Sequence, residues 1–192
     1  YRLIEEIKKL NGVEDCYRAA EYELPEDAKS DGNPTKLSTS VGFINADDMW
    51  ALGYTGQGQT IAVIDTGIKV NHTNFATAPQ DPHFDAAGIQ SVLNRYDLCA
   101  EERYNGTLTG ATLYHSAKLP FTFNYYAGNT DVSHANAGSD HGTHVSSIAA
   151  GCDSSSRGVA YNAQIISMQV FQNGGAAWTE ILAALEDCAW LE

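Results

Sequence analysis

Two segments of the sequence carry the residue types that acid–base catalysis needs. Asp65 follows the apolar run 61–64, and His141 opens the segment His-Gly-Thr-His-Val over 141–145. A carboxylate that orients an imidazole, which in turn moves a proton, activates the nucleophile in acyl transfer. Taken alone, the aspartate could equally cap the following turn, and a lone histidine could be structural. The pairing of the two favours catalysis.

The elements that must position these residues are indicated by the apolar pattern. Residues 61–65 and 165–170 are apolar runs typical of parallel strands covered on both faces. Helices are predicted over 144–150 and 178–191, which indicates βαβ connections. We therefore predict an α/β fold with a mostly parallel sheet flanked by helices. Catalytic groups gather at the carboxyl ends of such strands, so Asp65 and His141 are expected within hydrogen-bonding reach, about 3.2 Å.

The remaining segments predict the domain organisation. Residues 1–24 indicate a short amphipathic helix over 3–10 and a strand within 16–24. The polar tract 25–40 predicts a linker, so the main domain is expected to span 41–192. Within that domain, 45–53 predicts a capped helix closed by glycine. Residues 76–139 show no sustained period and predict an insertion of loops and short strands.

Composition excludes several classes of partner. The formal net charge is -13, with only 11 Lys and Arg, and binding to nucleic acid or an anionic membrane needs clustered positive charge. No apolar run approaches the roughly 18 residues that a membrane helix needs. The sequence therefore predicts no nucleic-acid partner and no membrane span in this segment.

Several motifs resemble those of the subtilases. Residues 61–68 (IAVIDTGI) resemble the aspartate motif of that family, and 141–145 (HGTHV) resemble its histidine motif. Residues 158–170 and 181–190 resemble the strand and helix that follow. Residues 1–24 are similar to the end of a subtilase propeptide, and 119–125 (LPFTFNY) look like the lactocepin-type cell-envelope branch.

The resemblance implies a serine-type endopeptidase. His141 would take the proton from a serine hydroxyl, and Asp65 would orient the imidazole. A protein or peptide substrate is implied, as are synthesis as a zymogen and a secreted or cell-envelope-associated location. No Gly-Thr-Ser segment resembling the nucleophile motif occurs in the sequence. We therefore expect the chain to be inactive alone and to need the C-terminal part of the catalytic domain, which carries the serine. The alternative is a non-catalytic subtilase-like scaffold or binding module.

Only weaker features of the sequence indicate that the protein binds a metal ion. The resemblance requires no cofactor for the chemistry and implies calcium as a structural ion, with Asn74 as a candidate ligand. His141 and His144 beside Asp140 also have the spacing of a metal site on a helix. Zinc hydrolases of that kind carry His-Glu-x-x-His, whereas glycine and threonine stand between these histidines. His144 is therefore interpreted as structural.

Overall fold

The structure is a computed structural model that describes residues 2–23, 36–172 and 175–191. Its helices are α1 (Arg2–Ile7), α2 (Lys36–Phe43), α3 (Ala46–Ala51), α4 (Ala86–Leu93), α5 (Cys99–Arg103), α6 (Gly110–Leu113), α7 (His141–Ala150) and α8 (Trp178–Trp190). Its strands are β1 (Glu21–Glu23), β2 (Thr60–Asp65), β3 (Phe121–Asn124), β4 (Cys152–Asp153), β5 (Ser156–Arg157), β6 (Gln164–Gln169) and β7 (Gly175–Ala177). Short 3-10 helices occupy Thr73–Phe75 and His134–Asn136.

A three-stranded parallel sheet forms the centre of the fold, in the order β2-β6-β3. Every residue of β6 is buried, as expected for a parallel strand covered on both faces. The predicted strands and the α/β class are confirmed. The three strands end level with one another, because Asp65 and Asn124 both lie opposite Gln169. Their carboxyl ends therefore form one polar edge.

The sheet separates two hydrophobic clusters, because side chains alternate along each strand. Ile165 belongs to one cluster and Ile166 to the other. Helix α7 packs on the cluster that contains Ile165 and Phe75, which we call the α7 face. Helix α8 and β7 pack on the cluster that contains Ile166, which we call the α8 face. The helices α7 and α8 thus cover opposite faces of the sheet.

The segment 76–139 differs from the prediction. It contains α4, α5 and α6, and its strand β3 joins the central sheet rather than a peripheral one. The Asp85 carboxylate caps α4 by accepting a hydrogen bond from the Gly88 amide at 2.7 Å. These helices have only four to eight residues, which is too short for a helical period to stand out in the sequence. Only loops and short strands were expected here, so the three helices correct that expectation, whereas the interpretation of 76–139 as an insertion stays a prediction.

The N-terminal elements are shorter than predicted. Helix α1 ends at Ile7, and β1 covers only three residues of the predicted strand. Residues 36–40 of the predicted linker belong to α2, whereas 24–35 lie outside the described residues. The division into 1–24, 25–40 and 41–192 stays a prediction. Helix α3 ends near Gly53, whose φ is 90°, but Asn45 makes no side-chain cap. No helix of the described residues is long and apolar enough to cross a membrane.

Candidate active site

Asp65 and His141 meet at the polar edge of the sheet. Asp65 is the last residue of β2, and His141 is the first residue of α7. The imidazole Nδ1 lies 2.9 Å from Oδ1 and 2.8 Å from Oδ2 of the carboxylate. The side chain of Asp65 is 13% exposed and that of His141 is 30% exposed. The expected contact across 76 positions of sequence is therefore confirmed, and we call this pair the dyad.

The turn after β2 fixes the aspartate. Gly67 has a φ of 92°, and a Cβ there would collide with the Val132 carbonyl oxygen. The position thus requires glycine. The buried Thr66 lies between the dyad residues: its amide donates to Asp65 Oδ1 at 2.6 Å, and its hydroxyl accepts from the Gly142 amide at 2.9 Å. One threonine therefore ties the strand end to the start of α7.

The role of Thr66 was not predicted from the sequence, where it appeared only as part of a turn. The sequence did contain a sign of this role. A small hydroxyl residue directly after an aspartate at a strand end can accept a hydrogen bond from one of the first amides of a helix, which have no partner within that helix. The second glycine of the site, Gly142, shows why the helix can approach so closely. A Cβ there would collide with the Gly67 carbonyl oxygen and would lie 3.0 Å from Asp65 Oδ1.

The geometry defines what the imidazole can do. The carboxylate of Asp65 accepts the hydrogen of Nδ1, which leaves Nε2 as the nitrogen able to take up and return a proton. Because the Asp65 side chain is largely buried and that of His141 is part exposed, the carboxylate is shielded from solvent while part of the imidazole stays accessible. The arrangement has the form of the aspartate–histidine part of an acyl-transfer triad.

The other predicted residues lie nearby but outside the dyad. His144 is exposed, and its amide donates to the Asp140 carbonyl at 3.0 Å. The Asp140 carboxylate contacts Nε2 of His134 at 3.2 Å, a pair that the sequence did not indicate. No group of three or more His, Cys, Asp or Glu side chains in the described ranges could hold a metal ion. The zinc alternative therefore finds no ligand set there.

Asn74 is 6% exposed, and its Oδ1 accepts a hydrogen bond from the Ser156 hydroxyl at 3.4 Å. Its backbone carbonyl oxygen accepts from Cys152 Sγ at 3.0 Å. Both oxygens of this residue are thus engaged within the protein, and no carboxylate set joins them among the described residues. Asn74 as a calcium ligand therefore stays a prediction. Calcium stays a prediction, and no step of the chemistry depends on it.

A second surface near the dyad holds a strand from the N-terminal segment. Strand β1 pairs antiparallel with β7, Glu21 opposite Ala177 and Glu23 opposite Gly175. The Trp178 amide donates to the Ala20 carbonyl at 2.8 Å, and the Tyr22 ring lies 5.8 Å from the Trp178 ring between centroids. β7 follows Phe171, whose amide donates to the backbone carbonyl of Asp65 at 3.3 Å. The paired strands therefore lead towards the dyad.

Two buried ionisable groups lie outside the dyad and bind neighbouring backbone and side-chain groups. Asp187 of α8 accepts hydrogen bonds from the amides of Cys99 and Ala100, at 2.7 and 3.0 Å, and from the Tyr125 hydroxyl at 2.7 Å. Burial raises the pKa of this carboxyl group. Lys118 is 1% exposed and donates to the carbonyls of Tyr161 and Ala163, and burial lowers its pKa to about 8. Both groups anchor elements beside the sheet.

The protein has an α/β fold, and its aspartate–histidine pair lies at the carboxyl ends of the strands of a parallel sheet. The family model described as "Subtilase family" matches residues 56–189. The chain belongs to the subtilase family, as the sequence motifs predicted.

Named relatives agree with this assignment. The chain is 28% identical to the PII-type proteinase of Lacticaseibacillus paracasei over 97% of its own length and 9% of that protein. It is 29% identical to the minor extracellular protease Vpr of Bacillus subtilis over 85% of its own length and 16% of that protein. A PI-type proteinase of Lactococcus lactis subsp. cremoris is 27% identical, with 97% of this chain and 9% of that protein covered. The chain thus spans only a small part of the relatives that it matches.

Proposed function

We propose that this chain supplies Asp65 and His141 to a serine-type endopeptidase whose serine lies in a C-terminal part of the catalytic domain. The observation that carries the proposal is the double contact of His141 Nδ1 with both oxygens of Asp65. Membership of the subtilase family supports serine peptidase chemistry. The proposed substrate is a protein or peptide.

The proposed reaction follows from the orientation of the imidazole. Nε2 of His141 would take the proton of the serine hydroxyl as that oxygen attacks the peptide carbonyl carbon, and would return it to the leaving amine. Asp65 would hold the tautomer and stabilise the imidazolium that forms between the two steps. Without the serine there is no nucleophile to activate. The loss of a triad member costs about 10⁴-fold or more in rate, so we expect the isolated chain to be inactive.

The position of β1 supports a zymogen. We propose that residues 1–24 end a propeptide whose last described residues lie on β7. A peptide that adds a strand to an exposed sheet edge gains backbone hydrogen bonds, and its alternate side chains can enter pockets. Tyr22 against Trp178 is such a contact. Removal of this segment would free β7 for a substrate.

The names of the relatives support a proposal about where the full-length protein is found. One relative is named an extracellular protease, and others are named as proteinases of bacteria. We propose that the full-length protein is secreted or associated with the cell envelope. The alternative, a non-catalytic scaffold, predicts the same dyad geometry without hydrolysis.

The test uses a fluorophosphonate probe, which labels an activated serine. Four samples are compared: the isolated chain, the complementary C-terminal part, their mixture and the full-length protein. We expect labelling of the full-length protein and of the mixture only. Asp65→Asn and His141→Ala should abolish labelling, whereas Asp97→Asn, which removes an exposed carboxylate elsewhere, should keep it. Absence of labelling in the full-length protein would favour the scaffold. Labelling of the isolated chain that His141→Ala removes would show a nucleophile within it.

A further inference from the structure

Two buried amide side chains lie beside Asp65 at the polar edge of the sheet. Gln169 is the last residue of β6 and has Asp65 of β2 on one side and Asn124 of β3 on the other. Side chains alternate along a strand, so Gln169 projects to the α7 face, as Ile165 does. Gln169 and Asn124 are both 0% exposed. We call these two side chains the amide pair.

The hydrogen bonds of the amide pair join three segments of the chain. Asn124 Nδ2 donates to Gln169 Oε1 and to the Asp131 carbonyl oxygen, both at 3.1 Å. Asn124 Oδ1 accepts a hydrogen bond from the Ala127 amide at 3.0 Å. Gln169 Nε2 donates to the Phe171 carbonyl oxygen at 3.3 Å. The pair therefore links the end of β3, the loop that follows it and the segment after β6.

Gln169 touches the turn that fixes Asp65. A Cβ at Gly67 would lie 2.8 Å from Gln169 Oε1, which places that oxygen against the glycine backbone. The segment after β6 also returns to the end of β2, because the backbone carbonyl of Asp65 accepts from the amides of Val170 and Phe171 at 2.9 and 3.3 Å. Phe171 is the residue whose carbonyl oxygen accepts from Gln169. The side chain of Gln169 therefore supports the backbone on both sides of the Asp65 carboxylate.

Asn124 supports the same turn through a loop. It holds the carbonyl oxygen of Asp131, and the carbonyl oxygen of the next residue, Val132, accepts from the Ile68 amide at 2.8 Å. The Val132 oxygen also lies against Gly67, where a Cβ would collide with it. Both members of the amide pair thus act on one short segment, the turn after β2.

We propose that the amide pair of Asn124 and Gln169 positions Asp65 for its contact with His141. The two are positioning residues, because they hold the turn and the turn holds the carboxylate. A buried amide suits this role, since its donors and acceptor are costly to leave unpaired and so keep their partners in place. The inference rests on the proposed peptidase function where it predicts rates, and on the dyad alone where it predicts structure.

The amino end of β6 offers a matched control. Gln164 is also 0% exposed and fully bonded: Oε1 accepts from the Phe84 amide, and Nε2 donates to the carbonyl oxygens of Phe84 and Ala117, each at 2.7 Å. Gln164 and Gln169 are the first and last residues of the strand, so they lie about 17 Å apart. Loss of either amide should reduce stability, but only the loss of Gln169 should disturb the dyad.

The experiment compares Gln169→Met with Gln164→Met in the full-length protein. Methionine is unbranched and adaptable but forms no amide hydrogen bonds. We expect Gln169→Met to lower kcat for a peptide substrate about ten- to 100-fold with KM changed less than about twofold, because a small displacement of the dyad acts on the chemical step. Gln164→Met should keep kcat within about twofold. An equal loss of kcat in the two variants would overturn the proposal.

A double-mutant cycle tests whether the two amides act together. Asn124→Ala should also lower kcat, and its combination with Gln169→Met should lower kcat little further, because each single change already breaks the pair. Two effects that simply multiply would contradict a joint role. If Gln169→Met does not fold, Gln169→Asn keeps the amide but shortens the side chain by one methylene group. The same loss of kcat is then expected relative to Gln164→Asn.

Hydrogen exchange measured by mass spectrometry separates this inference from the peptidase function. The Ile68 amide reports on the turn without any substrate, since its hydrogen bond lies within the supported segment. In Gln169→Met this amide should exchange about tenfold faster than in the unaltered protein, and in Gln164→Met the faster exchange should appear at the Phe84 amide instead. If the unaltered protein cleaves no peptide, this pattern would still support the positioning role. Unchanged exchange at Ile68 in Gln169→Met would reject it.

Discussion

The backbone of Gly142 lies directly against the carbonyl oxygen of Gly67, so that the start of α7 touches the turn after β2. A methyl group at Gly142 would collide with that oxygen and crowd Asp65 Oδ1 at 3.0 Å. Because the turn and the helix together hold the dyad, this contact sets the position of His141.

Gly142→Ala is therefore expected to reduce the peptidase activity of the full-length protein by more than about tenfold and to lower its unfolding free energy by about 1–3 kcal/mol. Urea denaturation and kcat/KM measurements check the two effects. Gly42→Ala is the control, because a Cβ at that helical glycine would meet nothing within 4 Å. Full activity in Gly142→Ala would show that α7 can shift without moving the imidazole.

The contact between Tyr22 and Trp178 predicts inhibition by the N-terminal segment. A synthetic peptide of residues 16–23, with Cys16→Ser, should inhibit the full-length enzyme once its own N-terminal segment has been removed. Tyr22→Ala in the peptide should weaken the inhibition constant about fivefold, because an aromatic pair and its buried area are lost. Tyr17→Ala is the matched control, since that ring is 71% exposed. Equal inhibition by all three peptides would argue against docking on β7.

Asp187 is predicted to stabilise the α8 face. Asp187→Ala leaves the buried Ala100 amide, the partly buried Cys99 amide and the buried Tyr125 hydroxyl without their acceptor. We expect a loss of about 3 kcal/mol of unfolding free energy in the full-length protein, measured by denaturant titration. Glu186→Ala changes the exposed neighbour and should cost much less. Similar losses in both variants would mean that the buried bonds contribute little.

The lowered pKa of Lys118 predicts that the unfolding free energy changes with pH in the alkaline range. Its pKa is lowered to about 8 from 10.5, so above pH 8 the folded protein releases a proton that the unfolded chain retains. The unfolding free energy should therefore rise between pH 8 and about 10.5 relative to that of Lys118→Met, and the difference should be flat below pH 8. Denaturant titrations of both proteins over this range measure it. Parallel pH profiles would show that the lysine titrates normally.

The sequence predicted the parts of the site that depend on local pattern. The apolar run of β2 and a helix close after His141 were predicted from a few adjacent residues each, although the helix begins at His141 rather than at His144. The contact of Asp65 with His141 was predicted from the tendency of catalytic groups to gather at the carboxyl ends of parallel strands. The place of β3 in the central sheet was not predicted. It lies beside β6 because Phe121 and Phe123 are buried against residues that are distant in the sequence, and a local pattern does not show such contacts. The pairing of β1 with β7 joins residues about 150 positions apart, and no local signal marks it.

The separation of Asp65 and His141 by 76 positions has a consequence for how the segment between them can vary. The entropy of closing a loop grows only with the logarithm of its length, so that doubling the loop costs about 0.6 kcal/mol more. The turns between the short helices α4, α5 and α6 can therefore accept added residues at small thermodynamic cost. Insertions there should leave the dyad intact, provided that β3 keeps its register against β6. Chain length in this region is thus free to diverge between related proteins, while the two residues at its ends stay in contact.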